Sequence, residues 1–158
     1  GGLHAVEYAL FIKKDVAGVT NIAAQLVEDV TALTSEAATT TLDGKVILSD
    51  ASMMLKDAVE KTLSSDKDNL ANSQVYDVQA NLEAIGLVMK AYAPHAEENS
   101  EKALQEQLDK TLEAVAYYEV GKEDYVNFSY FTNKQKQDLI SAFNATKEAF
   151  DKYIRLMK

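Results

Sequence analysis

Residues 73–94 read SQVYDVQANLEAIGLVMKAYAP. Val75, Val78, Leu82, Ile85, Met89 and Tyr92 recur at alternating steps of three and four residues, which a 3.6-residue repeat gathers into one stripe. A half-buried strand would alternate apolar and polar positions instead. The stretch therefore predicts a helix that offers a bundle seam. Pro94 is expected to end it, because proline disfavours helical backbone at the residue before it.

The same three-four spacing extends outward in both directions and predicts six helices. The first runs from about Leu3 to Lys13 and stops before DVAGVT. The second starts near Thr20 or Asn21, either of which can cap it, and buries Ile22, Leu26, Val30 and Leu33 before fading in EAATTTLDG, the best candidate hinge. The third spans roughly Lys45 to Leu63, with Leu48, Leu55 and Val59 on one stripe and Ile47, Met54 and Ala58 beside it, and stops in SSDKDN. After the helix at 73–92, a fifth runs from about Ser100 to Val120 on Leu104, Leu108, Leu112 and Val115, with Gly121 as its stop. A tyrosine- and phenylalanine-rich connection, KEDYVNFSYF, leads to Thr132, which caps the last helix. Its stripe is Leu139, Phe143, Thr146, Phe150, Ile154 and Met157. The expected class is all-α, a four-helix unit to which the first two helices attach.

Composition agrees with that class and excludes several functions. The chain has 158 residues, 47% hydrophobic, with 6 Gly and 1 Pro, too few turn-formers for a sheet-rich fold. Its 25 acidic residues outnumber 16 basic ones for a net charge of −9. No stretch gathers the Lys/Arg cluster that phosphate neutralisation needs, so nucleic acid is excluded as a partner. Cysteine is absent, which removes disulfides, thiolate zinc sites and a cysteine nucleophile. No run reaches the roughly 18 apolar residues of a membrane span. A start without methionine inside an apolar helix reads as the interior of a longer protein, with any export signal or lipid anchor upstream.

The opening segment, GGLHAVEYALF, carries two polar residues on an otherwise apolar helix. His4 and Glu7 stand at i and i+3 and project from one face. A neutral imidazole and a carboxylate are compatible ligands for zinc or iron, and bundle metal sites use glutamate and histidine at this spacing. Two ligands do not complete a site, and a pair that satisfies itself is the plain structural alternative.

GGLHAVEYALF resembles the Gly-x-His-x-x-Glu-Tyr signature of the imelysin-like family, which includes insulin-cleaving membrane proteases and the EfeO-type components of iron uptake. The segment at 73–94 is similar to a second family motif, carried here by Asp77, Ala80, Asn81 and Glu83. DYVNFSYFTNKQKQDLISAF resembles the connection and last helix of EfeO-type proteins. These matches keep the family order over nearly the whole chain, with one departure: Ala84 follows Glu83 where the family often has glycine, and Gly86 comes two residues later.

The resemblance implies a fold of two helical bundles around a cleft, of which residues 1–158 are the C-terminal portion from the His-x-x-Glu motif onward. It implies that His4 and Glu7 are metal ligands, for iron first and zinc or copper next, and that preceding helices supply further acidic ligands. The opening helix would then be core-like because it is buried in a bundle, its polar pair facing the ion. The function implied is an extracytoplasmic metal-binding component of ferrous or ferric iron uptake, a lipoprotein or periplasmic protein that hands its ion to a membrane permease. Two other readings stay open. One is an imelysin-type metallopeptidase, which lacks the three ligands and the two-histidine helix a zinc hydrolase uses. The other is a metal-free helical surface module. No catalytic residue is assigned.

Asp77, Asn81 and Glu83 form a secondary polar candidate. Asp77 and Asn81 share a face at i,i+4, whereas Glu83 points elsewhere on the helical wheel, so the three cannot address one ion from one helix. Asp77 and Asn81 are expected to bond neighbouring helix ends or each other, and Glu83 to be solvated. His95 follows a helix end, where its imidazole complements the dipole. Tyr117, Tyr118, Tyr125 and Tyr130 either line a sugar-binding surface or pack at a bundle end. Met53, Met54 and Met89 read as core filler.

Overall fold

The seam at residues 75–92 is where the fold closes. In the computed structural model, which describes residues 2–41, 43–64, 73–121 and 124–157, Val75, Val78, Leu82, Ile85 and Met89 are all buried and Tyr92 is half-buried. The chain divides into two compact units, and the division falls between residues 42 and 43, inside EAATTTLDG. The architecture is all-α, with one tiny two-stranded sheet.

In the first unit, α1 (Leu3–Glu7) continues without a break into a π-helical turn, Tyr8–Ile12. The backbone then turns through Lys14, at φ 53°. The Asp15 carboxylate accepts the Gly18 N–H at 2.7 Å and lies so close that a side chain at position 18 would collide with it. α2 (Val19–Thr39) follows directly. The expected cap at Thr20 or Asn21 is not used: both lie inside the helix and no side chain caps it. α1 packs on α2, whose half-buried positions, Val19, Ile22, Ala23 and Leu26, are all in its first half. A 21-residue helix is about 31 Å long, roughly twice the reach of α1 and its π-turn. The second half of α2 outruns its partner, and Val30 and Leu33, expected in the core, are 53% and 64% exposed.

The second unit begins with Asp43, whose carboxylate accepts the Lys45 N–H at 2.7 Å and caps α3 (Gly44–Asp57). α3 also runs into a π-turn, Ala58–Leu63. The stop expected in SSDKDN lies, from residue 65 on, outside the described residues. α4 (Gln74–Tyr92) ends in a 3-10 turn, Ala93–His95, in which Ala93 keeps helical dihedrals despite the proline that follows. α5 (Glu98–Ala116) stops five residues before Gly121. Gly121 instead ends β1 (Glu119–Gly121), which pairs antiparallel with β2 (Asp124–Tyr125). This hairpin is absent from the sequence expectation because five residues offer no readable alternation. After a 3-10 turn at Phe128–Tyr130, Thr132 caps α6 (Asn133–Arg155) with a full capping box, its side chain on the Gln135 N–H and the Gln135 side chain on the Thr132 N–H.

The four helices form a closed ring, each packed on its two neighbours in the order α3, α4, α5, α6 and back to α3. Leu55, Leu82, Ile85, Leu104, Leu139, Phe143 and Phe150 fill the centre. Two polar ties cross it. Thr111 of α5 and Thr146 of α6, both fully buried, share a hydroxyl hydrogen bond of 2.8 Å. Tyr153 of α6 donates its hydroxyl to the Met89 carbonyl at 3.0 Å. The Tyr153 hydroxyl is thereby satisfied in an apolar core, and the two threonine hydroxyls are also within reach of the Gln107 and Ala142 carbonyls. Tyr118, Phe128 and Phe131 pack ring to ring at 4.2 and 5.0 Å, closing one end beneath the hairpin. Met89 is core filler as expected and Met54 is half-buried, but Met53 faces out, 54% exposed.

Candidate functional site

His4 and Glu7 meet across one turn of α1, with His4 Nδ1 2.9 Å from Glu7 Oε2. When Nδ1 carries the ring proton, it donates it to this carboxylate oxygen. In that tautomer Nε2 is the ring nitrogen open to a metal, the arrangement of a carboxylate-backed histidine. The His4 side chain is 80% exposed and that of Glu7 22%. The expected burial of the opening helix rests on preceding helices; among the described residues of the first unit only Ala9 is buried, and Leu3, Tyr8, Phe11 and Ile12 stand open. The apolar pattern of α1 marks a face fit for packing, but α2 covers only part of it.

Among the described residues no group of three or more His, Cys, Asp or Glu side chains is gathered to hold an ion. The pair supplies at most two donors, whereas a zinc or iron centre takes three or four from protein.

The three candidates on α4 are held apart. Asp77, in the first turn, accepts from the Ser73 hydroxyl at 3.2 and 3.3 Å, a helix-start role that suits a carboxylate at the positive end of the dipole. Asn81 lines a groove between α3 and α4 together with Asp50, Met53, Met54 and Asp57. Glu83 lies in a different groove, between α4 and α5, beside Gly86 and Leu87, and accepts from Gln79 Nε2 at 2.9 Å. They do not converge.

The tyrosines also separate. Tyr118 is buried in the aromatic end, where burial first and the Asp138 carboxylate second raise its phenol pKa. Tyr125 is half-buried, and burial followed by Glu119 and Glu83 raises its pKa too. Tyr117 and Tyr130 are almost fully exposed. His95 is exposed in the turn after α4.

One cluster has no counterpart among the sequence candidates. Where α3 passes α6, Ser52 donates to Asp151 at 2.6 Å, and Lys147 reaches the same carboxylate at 2.6 Å. Burial pushes the Asp151 pKa up, but the Lys147 and Ser52 hydrogen bonds outweigh it and hold the carboxyl below its ordinary range. Ser52 and Asp151 are ninety-nine positions apart, and no local spacing reveals that they meet. The one readable signal is Lys45, a cation in the first turn of a helix, where the dipole disfavours it.

No protein-family model matches the chain. The chain is 23% identical over 151 residues to a protein described as "Iron uptake system component EfeM" of Pseudomonas syringae pv. syringae (strain B728a), an alignment covering 93% of this chain and 53% of that protein. It thus spans about half the length of the curated relative it matches.

Proposed function

We propose that this chain is the metal-binding C-terminal half of an iron-uptake component, with His4 and Glu7 contributing part of the metal site. The observation that carries the reading is the 2.9 Å His4–Glu7 contact on α1, with the His4 side chain 80% exposed. The likeness to a protein described as an iron uptake system component supports the choice of iron as cargo, and zinc and copper are the competing ions for such donors. Further donors come from elements of the longer protein that pack on the open apolar side of α1 and α2. Such a component works outside the cytoplasm, as a lipoprotein or periplasmic protein, and passes its ion to a membrane permease. No described helix is long and apolar enough to cross a membrane.

The test is calorimetric titration of the full-length mature protein with ferrous iron, zinc and copper, for wild type and for His4→Ala/Glu7→Ala. Selective loss of iron binding in the double variant, with unchanged helicity, is the expected result. Equal binding in both proteins, or none in wild type, would reduce His4 and Glu7 to a surface pair.

A further inference from the structure

The groove between α3 and α6 is built for a different ligand. Lys45, Leu48, Ser49 and Ser52 line one wall and Asp151, Ile154 and Arg155 the other, around an open volume of about 390 Å³. All seven belong to the second unit.

The charges in the groove fall into two sets. Asp151 is already matched, held by Lys147 and Ser52, so its charge is neutralised within the fold. Lys45 and Arg155 are exposed, and among the described residues neither has a carboxylate within ion-pair distance. The groove thus carries a cation on each wall, Lys45 and Arg155, the second also acting on the Asp151 carboxylate that Lys147 and Ser52 already hold, in a chain whose net charge is −9. Lys45 stands at the positive end of α3, where its charge works against the helix. Ser49 is one turn along the same wall, and no hydrogen bond within the described fold engages its hydroxyl. Leu48 and Ile154 supply apolar surface between the polar groups.

We infer that this groove binds a small organic polycarboxylate, one carboxylate on Lys45 and another on Arg155, with its carbon skeleton against Leu48 and Ile154. Arginine receives a carboxylate through two parallel N–H donors, lysine through a point charge. The separate cations favour two acid groups on one skeleton over a single compact anion. The apolar wall favours carbon over inorganic phosphate. The site is independent of His4 and Glu7, so either can fail without the other.

The experiment is an NMR amide titration of the metal-free protein with citrate, repeated with inorganic phosphate. Citrate is expected to shift the amides of residues 45–52 and 151–155 saturably. Lys45→Ala and Arg155→Ala should each weaken it roughly tenfold or more, the loss of one charge-assisted hydrogen bond. Arg155→Lys, which keeps the charge but not the fork, should fall between. Both positions are exposed, so the variants should keep the wild-type amide spectrum elsewhere. His4→Ala/Glu7→Ala should leave the titration unchanged. Phosphate saturating the same amides as tightly as citrate would overturn the polycarboxylate assignment. Absence of saturation with citrate, or saturation indifferent to both cations, would overturn the site itself.

Discussion

The two units use the same amphipathic pattern to opposite effect. In the second, four helices each find two neighbours, and the stripes of α4 and α6 disappear into a common core. In the first, α2 carries an equally regular stripe, yet among the described residues of its second half Val30 and Leu33 face outward. Periodicity shows which face of a helix is apolar and does not show what will cover it. Stability should therefore be concentrated in the second unit, and substitutions should separate the two.

The largest effect belongs to Phe150→Ala, which empties a fully buried position and is expected to cost about 3–5 kcal/mol, read from the urea midpoint. Thr111→Val removes one half of the buried hydroxyl pair and should cost about 1.5 kcal/mol, because Thr146 loses a partner where water cannot replace it. If the double variant with Thr146→Val costs less than the sum of the two single ones, the pair acts as a unit. Thr132→Ala dissolves the capping box of α6 at about 1 kcal/mol. A smaller effect is tied to pH. The depressed Asp151 pKa contributes stability that is present above its unfolded value near about 3.9 and lost as the pH falls through the lower folded value. Asp151→Asn should flatten that part of an acid-unfolding curve. In the first unit, Leu33→Ala should shift stability by no more than about 0.5 kcal/mol. A cost like that of Phe150→Ala would show that Leu33 is covered in solution and erase the contrast. Amide exchange sharpens the same point: residues 30–39 should exchange far faster than those of α5 and α6.

The legible parts of the fold share one property: their spacing is long and their partners are close in sequence. The seam of α4 and the stripe of α6 were readable from Val75 to Met89 and from Leu139 to Phe150, and Thr132 from its position ahead of Gln135. Tyr153 escaped because its stripe neighbours, Phe150 and Ile154, gave an adequate pattern without it. Nothing local announces that its hydroxyl ties α6 to the Met89 carbonyl sixty-four residues away. Both π-turns escaped as well, since an extra residue in a turn changes the backbone ladder without altering composition. On the candidate site, the i,i+3 spacing was enough to place His4 and Glu7 in contact. It could not reveal how open they are, because exposure depends on neighbours that spacing does not specify. The Lys45–Arg155 groove was illegible for the complementary reason: it is made by tertiary approach of two helices whose sequences carry no shared motif.

The distribution of tyrosines has an optical consequence. The chain has no tryptophan, and of its eight tyrosines only Tyr8 precedes residue 43. Near-ultraviolet emission therefore reports almost entirely on the four-helix ring, with Tyr153 as the ring that is sealed from solvent. Tyr8 follows Glu7 directly in the chain and lies beneath the Lys13 ammonium, 5.4 Å from its centroid. On the proposed metal site, an ion at His4 would stand one helical turn from Tyr8 in the chain, so the single tyrosine of the first unit is the natural local reporter of metal capture.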